Sequence, residues 1–362
     1  AISSFSAQIE EAYQVAEHYR TLRIPVVMGG LHVTALPQEA IAHGAAAVVG
    51  EGESVWRDVL HDAERGRLRP LYDARGAEFN LAAAPMPAYE LLDIARYNRI
   101  TVQTSRGCPW RCSFCASSIL LTHKYKQKPA AQVLAEIDHI RSLWPRPFIE
   151  FADDNSFCHR AYWKALLPEI AKRQIKWFAE SDLAIHEDDE LLRLMREAGC
   201  VEVLIGLESP TSEGLDGVET KCNWKLSRVP QYRDAIRRIQ AQGIRVNACF
   251  VLGLDGQTTR VFDQVLDFVA EALPFDVQVT VPTPFPGTPM FAQLQREGRL
   301  LADRAWERCT LFDVNFRPTH MSPQELAAGL RQMIVALYSD EATARRHQHF
   351  KALRRQTPSM AA

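Results

Sequence analysis

The sequence holds no run of eighteen apolar residues and no N-terminal succession of charged segment, apolar segment and small-residue cleavage site. It is therefore read as a cytoplasmic chain without a membrane span. An excess of either charge is also missing: 42 Lys and Arg face 44 Asp and Glu, a formal net charge of -2. Phosphate backbones attract a basic field, so neither a nucleic-acid partner nor a membrane-surface role is expected. Cysteine is scarce, eight in 362 residues, too few for a disulfide scaffold and best suited to a reducing compartment. Residues 1–97 contain none. The first residue is Ala1 rather than methionine, which reads as a processed or truncated product.

What is present is an ordinary globular composition, 47% hydrophobic and 24% charged, enough for one large domain or two. Residues 1–72 alternate helical and strand patterns: an amphipathic run to Tyr19, "IPVVMGG" ending at Gly30, "PQEAIAHG", then "AAAVVGEGE". From Leu71 to Asn98 the text turns irregular, and Pro87 pushes Met86 out of helical geometry, so 73–97 reads as a linker. After it, β-rich runs at 100–105, 148–152, 175–181, 201–209, 244–253 and 276–284 are separated by helical patterns. Among these are Val133, Ile137 and Ile140; Tyr232, Ile236 and Ile239; and Phe262, Leu266 and Val269. Six strands alternating with five helices predict a parallel sheet, either open or curled into part of a barrel, because parallel neighbours need crossover connections. Ligands of such sheets sit beyond the carboxyl ends of the strands. The remainder reads as a loop, helices and a basic tail.

Three of the eight cysteines, Cys108, Cys112 and Cys115, crowd the segment after the first of these strands, in "TSRGCPWRCSFCASS". Thiolates are soft ligands for zinc or iron-sulfur clusters, and a closed zinc site needs four protein donors. Three thiolates with no fourth donor nearby leave one iron of a 4Fe-4S cluster open to a small molecule. The bland alternatives are packing cysteines, or a zinc site completed by a distant residue such as His123.

"CPWRCSFC" resembles the C-x-x-x-C-x-aromatic-C motif of the radical S-adenosylmethionine (SAM) enzymes, with Phe114 in the aromatic place. The resemblance covers about 98–290. It implies a partial (β/α)6 barrel, a 4Fe-4S cluster on Cys108, Cys112 and Cys115, and SAM chelated at the open iron. It further implies reductive cleavage of SAM to methionine and a 5'-deoxyadenosyl radical that abstracts a substrate hydrogen. An electron donor such as flavodoxin or ferredoxin would then be needed. Residue by residue, the resemblance places Asp153, Asp154 and Asn155 at the turn facing the SAM amino group, although the family commonly has Gly-Gly-Glu there. It places Glu180 and Ser181 near the ribose and carboxylate, and Gly206, Glu208 and Ser209 of "LIGLES" beside the cofactor. Gly253, Thr283 and Pro284 are weaker candidates near the adenine.

The N-terminal stretch from Ile24 is similar to the second half of the Rossmann-like cobalamin-binding domain of one subclass, in which Gly29 and Gly30 let the chain pass close to the corrin and its tail. Upstream strands of that domain are missing apart from Ala1–Ser4, and no D-x-H-x-x-G motif exists in the chain. The domains are accordingly read as 1–72 (partial cobalamin-binding-like α/β), 73–97 (linker), 98–290 (radical SAM core) and 291–362 (C-terminal helical extension). His32 reads as a hydrogen-bonded loop residue rather than an axial ligand. The basic segment 123–129 and the tail 344–356 read as a solvated loop and an exposed helix face. One of Trp177 and Phe178 should enter the core and the other the cavity. Cys249 is a radical relay or, preferably, a core cysteine.

The leading reading is a radical SAM enzyme acting on a small molecule, with methyl transfer to an unactivated carbon or phosphorus if cobalamin binds. Without cobalamin the radical would drive rearrangement, cyclisation or oxidation. A non-catalytic metal-binding protein is the alternative from another class. A methylthiotransferase is disfavoured because its N-terminal cluster domain would need three further cysteines.

Overall fold

The computed structural model describes residues 1–122 and 124–356; His123, named above for a zinc site, lies outside the described residues. The chain opens with a four-stranded parallel sheet in the order β1 (Ile2–Ser3), β2 (Val27–Gly29), β3 (Ala46–Gly50) and β4 (Leu71–Ala74). Its crossovers carry α1 (Ile9–Thr21), the short α2 (Leu31–Ala35) and α3 (Pro37–Ala42), and α4 (Trp56–Glu64). Helix α1 buries Ile9, Ala12, Tyr13 and Ala16, the spacing of one helical face, against Met28 and Ala47 of the sheet.

The sequence reading ends this unit at residue 72 and begins irregular chain at Leu71; the structure corrects both. Leu71–Ala74 pairs with β3 along its length, and Tyr72 is buried among Val27, Val48 and Val59 while its hydroxyl donates to Asp62. A four-residue strand anchored by one aromatic leaves too little alternation to read. The irregular stretch then occupies 75–99, with three single turns of 3-10 helix.

Next come β5 (Ile100–Val102), the antiparallel ribbon of β6 (Ser105–Arg106) and β7 (Lys126–Gln127), then β8 (Phe148–Phe151), β9 (Lys176–Ser181), β10 (Cys200–Glu208), β11 (Arg245–Val251) and β12 (Asp276–Thr280). Apart from the ribbon these six strands form one parallel sheet in sequential order, β5-β8-β9-β10-β11-β12. The five expected crossover helices are α5 (Ala130–Leu143), α6 (Arg160–Ala171), α7 (Asp189–Glu197), α9 (Tyr232–Ala241) and α10 (Val261–Ala272), with a one-turn α8 (Trp224–Arg228) preceding α9. Val133, Ile137 and Ile140 are buried, as are Tyr232, Ile236 and Ile239. In α10 the buried stripe is Val261, Val265, Phe268 and Val269, with Phe262 and Leu266 only partly buried on its shoulder.

Alternation along the strands divides the sheet. Val203, Ile205 and Leu207 of β10, and Val246, Ala248 and Phe250 of β11, are buried in the layer shared with the helices. The opposite face carries Leu204, Gly206, Glu208 and Cys249, which open into a cavity at the carboxyl ends. Trp177 takes the core side, donating to the Ala198 carbonyl. Phe178 does not reach the cavity: it stacks on Phe148 with Arg99 above it, one layer below Glu180.

The C-terminal part contributes α11 (Pro289–Arg296), α12 (Pro323–Leu337) and α13 (Asp340–Gln356). Leu326 of α12 packs on Gly253, whose φ of 99° and missing Cβ admit it: an added Cβ would stand 2.5 Å from the Leu326 side chain. Gly253 is therefore a packing position and lies outside the cavity. In the tail, Arg346 is buried and donates to the Leu337 carbonyl, and His347 stacks on Phe275. One face of this basic helix is thus docked.

In the basic segment before α5, Lys124 is exposed as expected, whereas Lys126 and Lys128 are drawn out of solvent, contrary to expectation. Lys124 pairs with Glu78, Lys126 with Glu51, and the buried Lys128 with Glu136. Glu51, at the exit of β3, also receives Arg106 Nη1 at 2.9 Å and the Phe79 amide at 3.3 Å, while Arg106 Nη2 reaches Glu53 at 2.7 Å. One buried carboxylate thus joins the N-terminal sheet to the first loop of the barrel.

Candidate active site

A cavity of about 700 Å³ lies over the carboxyl ends of the six-stranded sheet, bounded on its far side by Ser3–Ser6 and Gly30–His32 of the N-terminal sheet. Cys108, Cys112, Cys115 and Phe114 line it, together with Asp154, Asn155, Glu180, Ser181, Gly206 and Glu208. The cysteine loop is held from below. Asp153 accepts the Thr104 and Ser105 amides at 2.7 and 2.8 Å as well as the Thr104 hydroxyl. Asp154 accepts the Gly107 amide at 2.7 Å and the Ser117 hydroxyl, bracketing the three cysteines. Asn155 Nδ2 stands 3.9 Å from Cys108 Sγ and donates to Asp182 at 2.9 Å.

These three consecutive residues therefore do different work. Only Asp154 and Asn155 reach the cavity; Asp153 is fully buried, and burial pushes its carboxyl up to about 6 against the opposing pull of its three donors. Ser209 also misses the cavity, turning instead toward Thr211 at 3.5 Å. Gly29 lies below the rim while Gly30 lines it, with a φ of 99°. Thr283 lines the cavity and Pro284 does not. Cys249 corrects the preference for a core cysteine: it sits in register between Gly206 and Gln278 on the inner face and lines the cavity.

Burial pushes the Cys108 thiol up to about 11 and the Cys112 thiol to about 12, an environment that favours the neutral thiol until a metal cation compensates the thiolate charge. Among the described residues no group of three or more His, Cys, Asp or Glu converges tightly enough for one metal ion. A cluster that gives each thiolate its own iron does not need such convergence. The donor set, three thiolates on one loop with a cavity in front of them, fits that group.

Glu180 faces the same cavity. Burial first, then the charges of Glu150, Asp154 and Asp153, push its carboxyl up to about 7. His32 is buried at the opposite rim with both ring nitrogens engaged, Nδ1 with Ser6 at 3.0 Å and Nε2 with Glu39 at 3.3 Å. It is hydrogen-bonded as expected, although it stands on α2 rather than in a loop. Burial lowers its pKa.

Sequence reasoning missed three contributors. Asp182 accepts Trp110 Nε1 at 2.9 Å and so grips the cysteine loop. Trp224 stacks on Trp110 with ring centroids 4.4 Å apart. Lys225, which lines the cavity, donates to the Gly206 carbonyl at 3.0 Å and to Glu208. The closeness of Gly206 is for this pair: an added Cβ would meet Glu208 Oε1 at 2.5 Å and Lys225 Nζ at 3.0 Å.

A parallel half-barrel whose first loop presents three thiolates to a cavity over the strand ends defines a class of enzyme, and the comparisons agree with it. Residues 102–269 match the family described as Radical SAM superfamily, and 288–361 match a domain of unknown function, DUF4070. The superfamily match thus covers most of the barrel, 168 of the 362 residues. It is 29% identical over 301 residues to an uncharacterised methyltransferase of Synechocystis sp., covering 81% of this chain and 55% of that one. It is 25% identical to the bacteriochlorophyllide d C-12(1)-methyltransferase of Chlorobaculum tepidum, covering 96% and 76%. The chain thus spans little more than half the length of the first of these relatives. Its fold is that of the radical SAM methyltransferase TsrM from Kitasatospora setae, solved with cobalamin and a 4Fe-4S cluster bound: TM-score 0.73 at 18% identity over 96% of this chain and 84% of that one. The likeness in fold extends over the N-terminal sheet as well as the barrel.

Proposed function

We propose that this chain cleaves SAM reductively at a 4Fe-4S cluster held by Cys108, Cys112 and Cys115 and, with cobalamin, transfers a methyl group to a small molecule. The observation that carries the reading is a single cavity with the three thiolates on one wall and the N-terminal sheet on the other. When bound, the cluster supplies the electron that breaks a carbon–sulfur bond of SAM, and cobalamin supplies a carrier for a methyl group.

The chain's own residues position and insulate. Asp154 and Asp153 fix the two ends of the loop, and Asp182 holds Trp110 in its middle. Phe114 packs on Val218, Val251 and Leu254, keeping water from the thiolates. Glu180 has an ionisation near neutrality, so its carboxyl can accept from or donate to a hydroxyl of the bound nucleoside. At the far rim, Gly30 and the serines of 3–6 offer a small-residue wall that a flat macrocycle can approach. Both nitrogens of His32 are already committed, which supports cobalamin binding without this imidazole on the metal.

The walls supplied by Phe5, Leu31, Leu120, Val281, Phe285 and Leu311 are apolar, and the cavity's one lysine is paired. A weakly charged, largely apolar small substrate fits this lining better than a phosphorylated one. Among the described residues no helix is long and apolar enough to cross a membrane. The reaction would take its electron from a flavodoxin- or ferredoxin-like donor, in keeping with a cytoplasmic setting.

The test is anaerobic reconstitution with iron and sulfide, followed by mass spectrometry of SAM products with reductant, with and without cobalamin. 5'-Deoxyadenosine from the parent chain and none from Cys112→Ala is the expected result, with S-adenosylhomocysteine appearing only when cobalamin is added. A parent chain with full iron content that forms neither product in either condition would sink the reading.

A further inference from the structure

The ion pair beside the cysteine loop is left unused by the chemistry above, and the fold goes to some length to build it. Strand β10 breaks register with β11 between Gly206 and Glu208, and Glu208 takes a left-handed φ of 64°, a conformation unfavourable for any residue but glycine. Its partner stands on α8, directly after a separate excursion, residues 209–223.

That excursion is stitched to the cysteine loop. The Ser113 amide donates to the Val218 carbonyl at 2.8 Å, the Thr220 amide to the Arg111 carbonyl at 3.0 Å, and Cys112 bridges Glu219. Trp224 stacks on Trp110, between Cys108 and Cys112, so the next residue, Lys225, is delivered to the same loop. Both partners are largely shielded from water, with side chains 12% and 9% exposed for Lys225 and Glu208. The Lys225 charge acts on both the Cys112 and Cys108 thiols, and Glu208 opposes it at Cys112.

We propose that the Glu208–Lys225 pair sets the reduction potential of the cluster, Lys225 easing reduction and Glu208 limiting that effect. The inference rests on the reading of the three cysteines as cluster ligands. Reduction adds one negative charge to the cluster, and a buried ammonium nearby stabilises the more negative state because little solvent screens it. Tying the ammonium to Glu208 keeps most of its charge from acting, and the left-handed turn at Glu208 fixes the carboxylate on it. Both residues are positioning residues for the cluster's charge.

The experiment is a redox titration of the reconstituted full chain without SAM, followed by electron paramagnetic resonance, for the parent, Lys225→Met, Lys225→Arg and Glu208→Gln. Iron and sulfide are counted in each. The midpoint is expected to fall in Lys225→Met titrated at alkaline pH, where Glu208 stays ionised, to rise in Glu208→Gln, and to stay near the parent in Lys225→Arg. If Lys225→Met fails to hold a cluster, Glu208→Gln decides alone, since a rise supports the proposal and no shift overturns it. Unchanged midpoints at full cluster content, or shifts of the same sign in both charge-removing variants, overturn it. So does weakened SAM binding at an unchanged midpoint, which would make the pair a ligand contact. A parent chain that shows no 4Fe-4S signal at all would overturn the cluster assignment and this inference together.

Discussion

Glu180 offers a sharp test of how the cavity is built. Its carboxyl is pushed from an ordinary 4.5 to about 7, by burial before neighbouring charge. The folded state therefore binds this proton more tightly than the unfolded state, and folding takes up a proton between those two values. Stability contributed by the protonated acid is present in full below about pH 4.5, declines as pH rises, and is gone above about pH 7. At about 1.4 kcal/mol per pH unit the whole displacement would amount to ~3 kcal/mol, but the Glu180 side chain is exposed to the water of the cavity, whose screening leaves about 1 kcal/mol. Glu180→Gln keeps the shape and removes the ionisation. The variant should match the parent near pH 4.5 and exceed it by about 1 kcal/mol above pH 7.5, measured by urea unfolding of the unloaded protein across that range. Asp153, pushed up to about 6, bends the curve in the same direction for both proteins. A difference that does not change with pH would refute the reasoning, because it would mean that the carboxylate ionises in the fold without cost.

Two further outcomes concern the frame around the cavity. Gly253→Ala should lose about 1–3 kcal/mol, since its φ of 99° disfavours any side chain and the new Cβ meets Leu326; thermal unfolding measures this, and an unchanged midpoint would show that α12 moves aside freely. Glu51→Ala leaves Lys126 and Arg106 buried beside an empty place, at a cost of about 3 kcal/mol. Limited proteolysis should then release the N-terminal sheet before the barrel, whereas simultaneous loss of both would contradict the joint assigned to Glu51.

Much of this was legible in the sequence because it was local or periodic. The six barrel strands announce themselves as short β-rich runs between helical patterns, and the three cysteines fall within eight residues of one another. Contributions that depend on where a chain exit points were harder to read. In Asp153-Asp154-Asn155 the backbone turns at every step, so one side chain faces the exit of β5, the next the cysteine loop and the third the cavity. Cys249 lies in an apolar run whose two faces look alike in composition, and nothing in "NACFV" says which face is lined by helices. Lys225 is 110 residues beyond Cys115 in a stretch without periodicity, where a lysine reads as solvated. Only the pairing of the excursion with the cysteine loop brings it inside.

The sequential strand order also bears on how such a protein can change. Each barrel strand pairs with the one before it, and each delivers its own contribution at its own end: Asp154 after β8, Glu180 on β9, Glu208 on β10, Cys249 on β11, Thr280 on β12. A new residue at one strand end leaves the pairing of the others intact, so the cavity's lining can be altered one wall at a time while the cysteine loop stays where it is. The same scaffold can therefore wander through substrates without ever passing through an unfolded intermediate design.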